Sequence, residues 1–238
     1  MKGIYLVTYN ERTSDIAAKY PFSVYHTDKT SPFFENAYIR DLIRNGAHHK
    51  AEWFGVLSPE FFTKALSGKV TPYKIHHDID RGIQIQTGRN RFERQEVDAI
   101  GFTPRLKNLN VIIQGNRAHG GGFSDLTQDI FNKAGIDWDV SKPLKRVVMS
   151  NYIIARPEVY QDYASKVLLP CMDVMESDPI ISERVWKDSG YYKKMRMPAQ
   201  LKSDLGVPYY PLHTFICERF WSVYLAMNPS VKFRHFGQ

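Results

Sequence analysis

Apolar positions along this chain follow two rhythms. Short dense runs, GIYLVTY at 3–9, PFSVYHT at 21–27 and AEWFGVLS at 51–58, have the length and the β-branched and aromatic content of strands. Between them, FFENAYIRDLIRNG at 33–46 spaces its apolar residues for a helix and closes on a glycine. The alternation predicts an α/β layered fold. Further on, SDLTQDIFNKAG at 124–135 predicts a helix with Ser124 as N-cap, Leu126, Ile130 and Ala134 on one face, and Gly135 as terminator. RVVMSNYIIA at 146–155 reads as a strand, and Pro157 opens a helix with Val159, Tyr163 and Val167 on one face. The late stretch PLHTFICERFWSVYLAMNP at 211–229 is apolar almost all round, the pattern of a buried helix.

Composition adds bounds to this picture. At 238 residues, 43% hydrophobic and 24% charged, the chain has ordinary globular composition. No linker, repeat or low-complexity tract divides it, so a single domain over 1–238 is expected; a division, if present, would fall near Ser141. The first apolar run is too short to span a bilayer and lacks a small-residue cleavage site, so no transmembrane segment is expected. Cys171 and Cys217 lie far apart without zinc or redox spacing, which fits a reducing, cytoplasmic setting. A net charge of +7 favours anionic partners: nucleic acid, nucleotide phosphates or an acidic lipid surface. The densest basic run, YYKKMRMPAQLK at 191–202, is interrupted by apolar residues and proline.

Three constellations carry candidate chemistry. In NRAHGGGFSDL, Gly120, Gly121 and Gly122 follow His119 and precede a helix. Such a loop either turns the chain or presents backbone N–H groups as a nest for phosphate or carboxylate. An esterase-type oxyanion hole lacks its G-x-S-x-G partner, and neither a P-loop nor a G-x-G-x-x-G fingerprint occurs. In YKIHHDIDRG at 73–82, Asp78 and Asp80 point to the same side of an extended backbone. That is either a hydrated turn neutralised by Arg81, or a site where Mn²⁺ or Mg²⁺ bridges the carboxylates to a diphosphate. Glu218 and Arg219 interrupt the most apolar segment, where charges need partners or a ligand; about 100° apart on a helix, each must reach elsewhere. His213 shares a face with Cys217, an arrangement read first as packing and second as a catalytic thiol.

The segments WFGVLSPEFFTKA, VMSNYIIARPEVYQDY and VPYYPLHTFICERFWSVYL, spread over most of the chain, resemble the small bacterial and phage glycosyltransferase-type proteins with a GT-A-like nucleotide-sugar fold. The resemblance implies a GT-A-like mixed sheet flanked by helices. It also implies transfer of a sugar from a nucleotide-sugar donor to an acceptor hydroxyl of a glycan or a modified nucleic-acid base. Such families hold a divalent metal with an Asp-x-Asp pair, which maps here to Asp78 and Asp80, although the residues before them are more polar than usual. The donor would lie beyond the first strand near Thr8 and Tyr9. Asn151 would face the sugar, Glu218 would act as base or acceptor-orienting carboxylate, and Arg219 or Arg117 would contact phosphate.

A different class is also written in the composition. The aromatic and basic residues of WKDSGYYKKMRM at 186–197 suit a groove for single-stranded nucleic acid, which would bind with a steep salt dependence.

Overall fold

The computed structural model describes residues 2–27, 31–58, 61–64, 70–71, 75, 83–86, 92–103, 110–191 and 198–236. The expected α/β layered fold is observed: a six-stranded mixed sheet flanked by helices. Its order is β2 (Ser23–His26), β1 (Lys2–Thr8), β3 (Trp53–Leu57), β7 (Ile153–Ala155), β6 (Ala99–Gly101) and β8 (Phe233–His235). Strand β1 runs parallel to both β2 and β3, and β6 parallel to β8; β7 alone is antiparallel to its neighbours β3 and β6. Strands β4 (Ile83–Gln86) and β5 (Phe92–Gln95) form a separate antiparallel ribbon.

The pleat of each strand divides the core in two. Val7, Phe54, Val56, Ala99, Ile153 and Ala155 face the larger apolar cluster, while Ile4, Leu6, Trp53, Leu57, Ile100 and Ile154 face the smaller one. The larger side carries α2 (Glu35–Arg44), α4 (Val111–His119), α5 (Phe123–Lys133), α6 (Pro157–Tyr163), α7 (Leu169–Ser177) and α8 (Pro179–Val185), together with α10 (Leu212–Cys217) and α11 (Phe220–Met227). The smaller side is closed by Ala17 of α1 (Glu11–Ala17) and by Phe61 and Phe62 of α3 (Phe61–Lys64). One further helix, α9 (Pro198–Leu205), precedes α10. Among the described residues no helix is long and apolar enough to cross a membrane.

Several local expectations are revised. The strand expected over 146–155 is confined to Ile153–Ala155, because the Val148 N–H and C=O are both bonded to the Ser222 hydroxyl at 2.8 Å instead of to a neighbouring strand. Ser150 and Asn151 then take left-handed backbone, φ 60° and 53°, which ends any extended run before Tyr152. The single buried helix expected over 211–229 is two helices, with Glu218 and Arg219 in the turn between them. The N-cap of α5 is Gly122, not Ser124; the Ser124 N–H instead donates to Asn116 Oδ1 at 3.0 Å, so the preceding helix supplies the cap. Gly135, at φ 71°, terminates α5 as expected.

The glycine run serves this α4–α5 corner. Gly120 and Gly122 have φ of 95° and 92°, where an L side chain is strained. Gly115, one turn before the corner, lets the helices close: a Cβ there would lie 2.3 Å from Phe123 Cδ1. Gly121 has no positive φ, and a Cβ on it would meet nothing within 4 Å.

Candidate functional site

Strand order reverses direction of travel between β1 and β3, since β2 lies on one side of β1 and β3 on the other. In open α/β sheets the crevice beyond the carboxyl ends of such a strand pair is the favoured ligand position. A cleft of about 490 Å³ lies there, lined by Tyr9 just after β1 and Ser58 just after β3. The volume falls within the roughly 300–1,000 Å³ of small-molecule sites. Met149, Ser150 and Tyr152, leading into the antiparallel β7, close another side.

Much of the wall is aromatic. Phe34 and Tyr210 have ring centroids 5.5 Å apart, Tyr191 and Phe215 5.1 Å, and Tyr191 and Tyr210 6.2 Å. Phe34 is held at φ 50°, an unfavourable backbone for an aromatic residue, and is followed by Glu35 at the start of α2. Two carboxylates, Glu35 and Glu218, line the cleft. Both influence one phenol: burial first, then the Glu35 carboxylate, the Tyr191 hydroxyl and the Glu218 carboxylate push Tyr210 above its ordinary pKa.

The charged pair of the apolar segment is now resolved. Arg219 is 2% exposed, and its guanidinium donates to the carbonyl of Val111 (2.8 Å), to the carbonyl of Phe215 and to Gln114 Oε1 (3.1 Å), with its Cζ 5.0 Å from the Phe123 ring centroid. Burial pushes its pKa down, and the Glu218 carboxylate opposes that shift. Three of the five guanidinium N–H groups thereby hold protein oxygens at the cleft wall, and half-buried Glu218 lines the cleft beside it.

His119, last residue of α4, stacks on Phe215 with centroids 4.0 Å apart. Its Nδ1 is 3.3 Å from the Ser189 carbonyl, which only accepts, so Nδ1 carries the hydrogen and Nε2 the lone pair. Burial, and then the Arg219 cation, hold its pKa down at about 4. The ring is therefore neutral near pH 7, a hydrogen-bond acceptor in the cleft wall.

Of the residues singled out in the sequence, Tyr9, His119, Glu218 and Arg219 meet in this cleft. Others lie elsewhere. Thr8 is fully buried, with Oγ1 3.0 Å from His26 Nδ1. The N–H groups just beyond β1 are also engaged, Tyr9 and Asn10 N–H donating to Thr13 Oγ1 at 3.0 Å each. Asn151 is 2% exposed and donates to Asn36 Oδ1 at 3.1 Å; the positive φ at Ser150 and Asn151 leaves Ser150 and Tyr152 to line the cleft in its place. Arg117 is exposed on α4 and, with Gly120, Gly121 and Gly122, lies outside the cleft lining. Asp78 and Asp80 lie outside the described residues, as does the stretch 192–197 of the basic run at 191–202. Among the described residues no three His, Cys, Asp or Glu side chains are grouped as a metal site would require.

The His213–Cys217 pair belongs to the core. Both are 0% exposed; burial and then the Glu218 charge push the Cys217 thiol far above its ordinary range, and burial lowers His213 to about 3. His213 packs against Phe33 and Trp186, with centroids 4.8 and 5.0 Å away.

Glu35, Ser150, Tyr152 and Tyr210 are cleft residues that were not singled out as candidates, and Tyr191 comes from the aromatic and basic stretch at 186–197 that suggested a nucleic-acid groove. Tyr210 belongs to the aromatic-proline turn VPYYP, and that turn is the one sequence signal that leads to it. The comparisons with known proteins add no relative: the chain matches no family model, no curated protein and no solved structure.

Proposed function

We propose that the protein is a glycosyltransferase that moves a sugar from a nucleotide-sugar donor to an acceptor hydroxyl, using the cleft beyond β1 and β3. The observation that carries this reading is the convergence of Glu218, Tyr9 and His119 in one aromatic cleft at the strand-order reversal. Two of the segments that resemble glycosyltransferases reach the same cleft, one through Glu218 of the late Glu-Arg turn and one through Tyr152 of the run that contains Asn151.

In this reading an acceptor hydroxyl donates its proton to the Glu218 carboxylate as its oxygen bonds to the anomeric carbon. The bond from that carbon to the diphosphate oxygen breaks, and its electron pair leaves with the nucleotide. Arg219 acts indirectly: bonded to Phe215, Val111 and Gln114, it fixes the turn that carries Glu218. Neutral His119 supplies a second hydrogen-bond acceptor. Asp78 and Asp80 are the pair assigned to Mn²⁺ or Mg²⁺, which when bound would neutralise charge on the departing diphosphate. The described residues offer no metal cluster of their own. A cytoplasmic location, where nucleotide sugars would be at hand, completes the proposal.

A thermal-shift panel of nucleoside diphosphates and nucleotide sugars, with and without Mn²⁺, tests the donor class. Selective binding of one nucleotide to the folded chain raises Tm by mass action. A flat response across the panel at millimolar ligand would overturn the reading.

A further inference from the structure

The cleft has a chemical bias that names a substrate class. Its lining presents two carboxylates, Glu35 and Glu218, and the phenols of Tyr9, Tyr152, Tyr191 and Tyr210. Among the described lining residues the one Lys or Arg is Arg219, whose three guanidinium nitrogens already donate to protein oxygens. A phosphate placed here would meet two carboxylates against one guanidinium, three of whose five N–H groups already donate to protein oxygens. Hydroxyl groups would meet acceptors: carboxylates form the stronger, charge-assisted kind of hydrogen bond, and His119 Nε2 adds a neutral one. Thr214, also in the lining, has a buried hydroxyl with no hydrogen-bond partner among the described residues. Aromatic faces suit the C–H side of a sugar ring, which is apolar where its hydroxyls are not.

We infer that this cleft binds an uncharged sugar ring, its hydroxyls held by Glu35 and Glu218 and its C–H face against Tyr191, Tyr210 and Phe215. Calling that sugar the acceptor rests on the transferase reading; the binding itself does not. The acceptor is then a neutral glycan, and the donor diphosphate lies outside this part of the cleft. Glu35 is a binding residue that selects hydroxyl donors, and the strained Phe34 before it sets where α2 begins.

The test is ligand-observed saturation-transfer NMR on the full chain with methyl gluco-, galacto- and mannopyranoside, and with glucosamine as a cationic control. The expected result is transfer to ring C–H protons of at least one neutral glycoside. Glu35→Gln should weaken that glycoside roughly tenfold, as for loss of a charge-assisted bond, and Tyr191→Ala should do so by removing stacking area. Wild-type protein that binds no neutral glycoside, or that binds glucosamine alone, overturns the inference, as does competitive displacement of the glycoside by a nucleoside diphosphate. Glycoside binding without turnover of any nucleotide sugar would overturn the transferase reading and leave this one standing; turnover without glycoside binding would do the reverse.

Discussion

The guanidinium of Arg219 donates to the carbonyl of Phe215, one helical turn earlier, and the helix ends there. A carbonyl engaged by a buried cation no longer needs the next turn's N–H, so the Arg219 N–H bonds Ile216 at 3.1 Å and α11 starts afresh at Phe220. The break is what leaves half-buried Glu218 in the cleft wall of an otherwise buried segment. Arg219→Met, similar in length but without donors, strands the Val111 carbonyl and Gln114. It should cost roughly 2–4 kcal/mol in urea unfolding, the scale of one or two buried groups left unpaired. Unchanged stability would show that the cation does not hold the turn.

The glycine corner predicts an ordered series. Gly121→Ala should change Tm little, since its backbone is ordinary and the added methyl meets open space. Gly122→Ala, at φ 92°, should cost about 1–2 kcal/mol in strain. Gly115→Ala should cost the most, about 1–3 kcal/mol or more, because its methyl would overlap the Phe123 ring. Differential scanning calorimetry of the three variants checks the order. If Gly121→Ala instead lost nucleoside diphosphate affinity at unchanged Tm, the loop would be a phosphate nest and not a corner.

His213 gives a pH signature. Its folded-state pKa of about 3 lies below the ordinary 6.5. Between those values the unfolded chain takes up a proton that the folded chain refuses, so stability falls as pH drops through the window, by up to about 1.4 kcal/mol per pH unit. His213→Leu removes that contribution and two ring nitrogens without partners among the described residues. It should hold Tm at pH 7 and flatten its decline toward pH 4. An equally steep decline in the variant would assign the acid sensitivity to other groups.

Metal dependence is a separate question, because it rests on residues known here from sequence alone. Asp78→Asn and Asp80→Asn should each abolish the Mn²⁺-dependent part of the Tm rise given by a nucleoside diphosphate and leave the Tm of the apo protein unchanged. An intact Mn²⁺ response in both variants would remove the pair from the site.

How far the sequence carried the reading depended on the range of the forces involved. Strands β1, β2 and β3 and helices α2 and α5 were legible because burial of an apolar face is written at local spacing. The split at Glu218 and Arg219 was visible only as two charges out of place; the partner that explains it, Val111, is more than a hundred residues away in the chain. The short β7 was misread as longer because a serine hydroxyl from α11 takes the pairing of Val148. Within the cleft, Glu218 and His119 stood out as charge in an apolar run and as the residue before a glycine loop. Glu35 did not, since an acidic residue opening a helix is ordinary, and Tyr191 was legible only within the aromatic, basic stretch at 186–197; only the fold brings the two to one wall.

The central claim is transfer chemistry at Glu218, and turnover tests it most directly. Wild-type protein and Glu218→Gln are incubated with each nucleotide sugar and a glycan acceptor, and released nucleoside diphosphate and extended acceptor are counted by mass spectrometry. The account predicts equimolar nucleotide and product from wild type with one donor, and a rate roughly 10²–10⁴-fold lower for a folded Glu218→Gln that still binds that donor. Full activity in Glu218→Gln, or no nucleotide released by wild type from any donor, would contradict it.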